Sequence, residues 1–239
     1  MNVINEHGYR QDGRKSDQIR NISCKLGVYG QADGSAYLEQ GNTKVLCAVY
    51  GPHEASSRGR QLDDRCTVLV QLSTAAFATM ERKNRPRGDR KTTAMARMLE
   101  KTLESVIMCH QLPRAQIDVF CEIIQEDGSR LATCVNAASL ALADAGIPMK
   151  GVVTAVTSSS LEGRPLVDIS SREEADTLPR VTLATVGGSE EVVLVELEGR
   201  VHVDEMGPLL KASEGAAASI HSCLHAALQK HLSDTRALL

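Results

Sequence analysis

Residues 89–125 read DRKTTAMARMLEKTLESVIMCHQLPRAQIDVFCEIIQ, and two different periods follow one another inside them. In the first part Met95, Met98, Leu99, Thr102, Leu103, Val106, Ile107 and His110 recur three and four residues apart, which lines one face of an α-helix, and Asp89 stands where an N-cap is wanted. The spacing predicts an amphipathic helix over 89–110. From 116 to 125 the period drops to two, with Ile117, Val119, Cys121 and Ile123 on one face, as in a strand whose sheet has one buried and one solvated side. A helix that hands the chain directly to such a strand must cover the sheet's apolar face, so the segment predicts helix-on-sheet packing.

Working outward, alternation and β-branched enrichment predict strands at 35–38, 44–50 and 66–72 before this segment. After it, Leu131, Cys134, Val135, Ala138, Leu142 and Ala145 signal a second helix, closed by Gly146 with Pro148 just beyond. Strand-like runs follow at 152–157, 165–168, 181–186 and 192–197, with 158–163 and 187–190 read as loops. The chain finishes in an Ala- and Leu-rich segment over 205–232 that reads as one helix, with an interruption near Gly207 and Pro208 or at Gly215 as the alternative. The reading is an α+β or mixed α/β protein of two β-rich halves, each with helical cover, and no linker between them.

The chain has 239 residues, 42% of them hydrophobic, enough for one substantial core or two fused small ones. A formal net charge of -3 excludes a polyanion binder that works by overall charge, so any nucleic-acid contact must come from local patches. Seven cysteines with no C-x-x-C pair are a poor disulfide framework and point to reduced thiols. No apolar run approaches the roughly 18 residues that span a bilayer, and no signal peptide is indicated, so no membrane partner is expected.

The densest charge is RKNRPRGDRK at 82–91, six basic residues against one acid, leading into the predicted helix. The N–H groups and partial positive charge of a helix N-terminus suit phosphate. Arg58, Arg60 and Arg65 form a weaker second group, and the two loops together would track a phosphate backbone; composition alone equally describes solvated loops. Neither G-x-x-x-x-G-K-[ST] nor G-x-G-x-x-G occurs, so nucleotide triphosphate hydrolysis has no support. His221 and His225, four apart, lack a third ligand and read as an exposed helical pair, and no metal site is expected. Asp168, Glu173, Glu174 and Asp176 cluster after a strand as a Mg²⁺ or general-acid site would, though acidic loops of this kind are commonly just solvated. With two Phe, four Tyr and no Trp, base stacking would contribute little.

Several segments resemble the ribonuclease PH family, and within it the ring subunits of the RNA exosome. They are Arg10-Gln-Asp-Gly-Arg14, residues 32–44 (ADGSAYLEQGNTK), 49–54 (VYGPHE), 81–83 (ERK), 85–91 (RPRGDRK), Pro113-Arg114, Gln116-Ile-Asp118, 134–138 (CVNAA) and 144–149 (DAGIPM). The resemblance runs in order over about residues 10–200. It implies a duplicated β-α-β fold of the ribosomal protein S5 domain 2-like kind, with mixed sheets under helical cover, as one ribonuclease PH-like domain over 1–239 whose halves are about 10–150 and 151–239. It implies a six-membered ring with other ribonuclease PH-like subunits, S1/KH cap subunits, single-stranded RNA in a central channel, and a location in nucleus, nucleolus and cytoplasm.

Active members of the family cleave RNA 3′ ends with inorganic phosphate, using arginines to hold phosphate and an aspartate with Mg²⁺ near the scissile bond. By resemblance Arg90 matches a phosphate-contacting arginine, and Arg87 and Lys91 its basic neighbours. The second phosphate arginine normally follows Gly-Gly-Thr, but here Leu131 falls at that position and Arg130 is displaced by one residue, about 100° around a helix. Counting on from Asp168 puts Glu174 at the first of two family aspartates and Arg180 at the second, catalytic one. A guanidinium accepts no proton and binds no cation. The resemblance therefore implies an RNA-holding ring subunit without catalytic residues and without cofactor. The alternatives are an active phosphorolytic exoribonuclease that uses Mg²⁺ and inorganic phosphate through Arg130 and Asp176, or a scaffold without RNA contact.

Overall fold

The computed structural model describes residues 4–5, 7–54, 62–82, 89–161, 163–174, 178–189 and 191–238. Among them a five-stranded sheet is formed by β1 (Ile22–Leu26), β2 (Gly34–Gln40), β3 (Thr43–Glu54), β4 (Thr67–Thr74) and β5 (Ala115–Gln125), in the order β1-β2-β3-β5-β4. Its neighbours run antiparallel except β4 and β5, which are parallel and joined by the crossover helix α1 (Arg90–Val106). The alternation read in 116–125 holds, with Ile117, Val119, Cys121 and Ile123 all buried while Phe120 stays exposed on the other face.

The predicted helix over 89–110 is shorter at its C-terminal end. Ile107 turns extended to bridge Met149, and His110 falls in a separate 3-10 turn, Cys109–Gln111, so apolar spacing alone overran the helix. The Asp89 side chain makes no cap; the hydroxyls of Thr92 and Thr93 instead donate to the Asp89 carbonyl.

The second helix, α2 (Arg130–Asp144), is followed by β6 (Val153–Leu161), β7 (Arg164–Val167), the single turn α3 (Ser171–Glu174), β8 (Arg180–Val186), β9 (Val192–Glu198) and α4 (Val203–Leu238). The four strands pair antiparallel in the order β7-β6-β8-β9. Residues 158–161, read as a loop, continue β6, because β7 pairs back on them from Ser158 to Leu161. Ahead of that pairing the free edge of β6 is satisfied by α2: the Asn136 side chain bonds both N–H and C=O of Ala155, and Ser139 accepts from the Val153 N–H.

Helix α2 therefore lies between the two sheets, and every residue from Leu131 to Leu142 is buried. Its run of Ala, Ser and Cys permits this closeness. On the opposite face of β6, Ser158 and Ser160 bond Ser213 and Glu205 of α4, so the second sheet is covered on both faces where α4 reaches it. Helix α4 runs as one helix past both points of possible interruption, Gly207-Pro208 and Gly215. Pro208 falls early in it and removes one ladder bond, while Leu209, Ser213, Ala217, Ile220 and Leu224 are buried on one stripe that carries the helix through.

Buried ion pairs tie the N-terminal segment to the turn after β7. Arg10, 1% exposed, donates to the Val167 and Asp168 carbonyls and to both carboxylate oxygens of Glu173. Arg20 donates to Asp168 from its N–H at 2.8 Å and its Nη2 at 2.7 Å. Burial pushes the Asp168 and Glu173 carboxyls up, but the hydrogen bonds and charge of Arg20 and Arg10 outweigh it and hold them below their ordinary 3.8 and 4.5. Since the folded values are the lower ones, the stabilisation is complete above the unfolded values and is lost as pH falls through the folded ones. The melting temperature is expected to be insensitive to these two groups above about pH 5.5 and to fall steeply below about pH 4, with Asp168→Asn flattening the acid limb in a pH series of thermal melts.

Candidate active-site cleft

The start of α2 is set by two residues in left-handed backbone. At Gly128, φ +83°, a Cβ would stand 2.6 Å from the Ile169 carbonyl oxygen; at Ser129, φ 54°, the hydroxyl donates to the same oxygen at 2.9 Å. The segment after β7 thus packs directly on the helix N-terminus. That contact brings Glu174 over the first turn, where its Oε1 accepts the Ser129 N–H at 2.8 Å. One of the N–H groups at this helix start, that of Ser129, is thus taken by the chain's own carboxylate.

Arg130, Leu131, Glu174 and Arg180 all line one cleft, together with Glu196 and Glu198 of β9. Arg180 is held between two carboxylates, Nη1 at 3.4 Å from Glu174 Oε2 and Nη2 at 3.1 Å from Glu198 Oε2. Arg130 turns away to Glu126, Nε to Oε1 at 3.1 Å, while Leu131 is buried in the wall. Three glutamates therefore face two guanidiniums, one of which is already paired outside the cleft. The crowding is visible at Glu196, whose carboxyl is pushed up by burial and by Glu198, with Arg180 offsetting part of it.

The other residues singled out from sequence are dispersed. Arg90 and Lys91 are exposed in the first turn of α1, which contains no acid, and Met95 of the same helix reaches the cleft. Arg65 is exposed at the opposite end of the α1–β4 layer, since the next residue, Cys66, bonds Cys109 just past the end of α1. A 17-residue helix is about 25 Å long, so Arg65 and Arg90 do not share one patch. Arg58, Arg60, Arg87 and Asp176 lie outside the described residues. Of the acidic cluster, Asp168 and Glu173 are engaged by Arg20 and Arg10, and Glu174 faces the cleft. His221 and His225 stack at 5.8 Å, and among the described residues no group of three metal-ligating side chains comes together.

Sequence reading missed Glu196 and Glu198, although the alternation VELE at 195–198 already put both on one strand face. It also missed Ser129, whose left-handed backbone no local pattern announces.

Models of the 3′ exoribonuclease family match this chain over residues 18–148 for its domain 1 and 151–216 for its domain 2. The chain belongs to the ribonuclease PH family. Within that family it is 57% identical over 232 residues to the putative exosome complex component RRP41 of Caenorhabditis briggsae, covering 97% of this chain and 96% of the relative. It is 44% identical to the human exosome complex component RRP41, covering 100% and 98%. The crystal structure of rice Rrp46 superposes with a TM-score of 0.82 at 25% identity, over 92% of this chain and 100% of that one. The Archaeoglobus fulgidus exosome with RNA bound to the active site superposes at 0.76 and 23% identity, which speaks for the ribonuclease PH fold alone.

Proposed function

We propose that this chain is an exosome ring subunit that grips single-stranded RNA and has no phosphorolytic chemistry of its own. Its relatives over nearly full length are named exosome components, which supports a ring with other ribonuclease PH-like subunits, S1/KH cap subunits and RNA, working in nucleus and cytoplasm. The observation that carries the non-catalytic part is Arg180 between Glu174 and Glu198 in the cleft.

Phosphorolysis needs a carboxylate that accepts a proton and an arginine pair that holds phosphate dianion. Arg180 can only donate, Arg130 is engaged by Glu126, and the Ser129 N–H is taken by Glu174. An incoming phosphate would displace a bonded carboxylate and then sit among glutamates, where like charge opposes it. Mg²⁺ would meet the same Arg180 guanidinium lodged among the carboxylates. Among the described residues, therefore, the cleft does not fit either group.

RNA grip needs none of this. Arg90 and Lys91 place two positive charges on the positive end of α1, and phosphate contacts of that kind bind a strand without reading its bases. Reversing Arg87, Arg90 and Lys91 to glutamate is expected to weaken single-strand RNA binding by the assembled ring and to flatten its log–log salt dependence by about two, at about 0.7 per lost phosphate contact. Fluorescence anisotropy at several salt concentrations checks this, and an unchanged slope removes these residues from the RNA path.

A further inference from the structure

Strand β9 ends the second sheet, and among the described residues its sole strand partner is β8. Its two faces differ. Glu196 and Glu198, paired in register with Thr182 and Arg180, point into the cleft beside α1. Alternation puts Val195 and Leu197 on the other face, in line with Leu183 and Val181 of β8. Leu183 and Val181 are 1% and 0% exposed, whereas Val195 and Leu197 are 51% and 44% exposed, because α4 packs on β6, β7 and β8 and stops short of β9. The apolar layer of this face thus continues one strand beyond its cover.

Exposed edge strands are ordinarily blunted by Lys, Pro or a bulge. Here residues 192–198, VVLVELE, hold no Lys or Pro, and the register shift lies at the early end, near Val192, leaving 194–198 regular. The outward edge therefore offers a row of backbone donors and acceptors next to uncovered apolar side chains. Glu191, exposed, stands at the start of the strand, which disfavours a polyanion and favours a partner that carries Lys or Arg at that end, while Glu198 at the other end is engaged by Arg180.

We propose that β9 is a docking strand: an extended segment of a neighbouring ring subunit, with alternating apolar side chains and a basic residue opposite Glu191, pairs along its open edge and covers Val195 and Leu197. This rests on the ring-subunit reading above. The edge supplies backbone hydrogen bonds, the apolar pair fixes which face of the incoming strand turns inward, and Glu191 sets its registration.

The test compares hydrogen–deuterium exchange of the peptide covering 192–198 in the full chain alone and in the purified ring, together with a Val195→Lys, Leu197→Lys double variant. The expected result is that exchange of the outward β9 amides slows at least about tenfold in the ring. The double variant should melt like wild type and be displaced from the ring by wild-type chain in competition, by about tenfold or more. Protection that appears in the chain alone as its concentration rises would assign the edge to a second copy and overturn the proposal. Equal exchange in both samples, or a variant that competes equally, would overturn it too. A wild-type chain that enters no ring would instead strike the ring-subunit reading, and this proposal with it.

Discussion

Replacing Asp168 with alanine is expected to cost about 3–5 kcal/mol of folding free energy, the range for removing one partner of a buried ion pair. Asp168 is 0% exposed and accepts from the Arg20 N–H, from Arg20 Nη2 and from Gln40 Nε2 at 2.8, 2.7 and 2.9 Å. Without the carboxylate, Arg20 is left as a buried cation, and the clamp between the N-terminal segment and the turn after β7 opens. Asn at 168 should cost less, because it tolerates the left-handed backbone at φ 53° and still accepts one bond. Adding Arg20→Met to Asp168→Ala should recover part of the loss, because no uncompensated charge then remains. Urea denaturation of the three variants measures all of this; additive losses in the double variant would mean that the pair does not act as a unit.

Gly34→Ala is expected to be comparably severe, on the order of 4 kcal/mol or more. A Cβ there would stand 2.3 Å from the Ala141 carbonyl oxygen, 2.4 Å from the Ala145 nitrogen and 2.7 Å from the Ala145 Cβ. The first two are backbone atoms of α2 and of its C-cap residue Ala145, and the helix, packed between two sheets, cannot retreat. Gly30→Ala, with nothing within 4 Å, is the control and should change stability by no more than about 0.5 kcal/mol. Melting temperatures of the two variants separate the steric effect from any general effect of losing a glycine.

The elements were legible where a residue's neighbours in sequence are also its neighbours in space. Period two in β5 and period 3.6 in α1 come from one face meeting the core, whereas α2 is buried all round and was legible from its apolar content and its closing Gly146. The failures share a cause. Helix α1 stops at Val106 because Ile107 is drawn into a bridge with Met149, and β6 extends to Leu161 because β7 pairs back on it; α4, read as one helix, passes Pro208 because distant strands hold its buried stripe. In the cleft, Arg130, Leu131, Glu174 and Arg180 could be singled out by counting against the family pattern, since spacing survives when side chains change. What could not be read was that Glu174 would take the Ser129 N–H at the start of α2, because that depends on Ser129 and Ile169 meeting across 40 residues.

The same geometry ties up Arg180 of the cleft in ion pairs with Glu174 and Glu198. Glu174, which pairs with Arg180 of β8 and accepts the Ser129 N–H, links the second sheet to the start of α2, so the cleft contributes cohesion between the parts it joins. The exposed basic turn at Arg90 and Lys91 stands apart from that network and stays available to phosphate.

The most direct measurement is nucleoside diphosphate release by the assembled ring given single-stranded RNA, inorganic phosphate and Mg²⁺, with wild-type chain and with Asp176→Ala and Arg180→Ala chains. Neither substitution is expected to change the amount released, since on the proposed function this subunit's cleft releases none. Diphosphate release that disappears with Asp176→Ala would contradict it, by showing that a carboxylate of this chain still drives the cleavage.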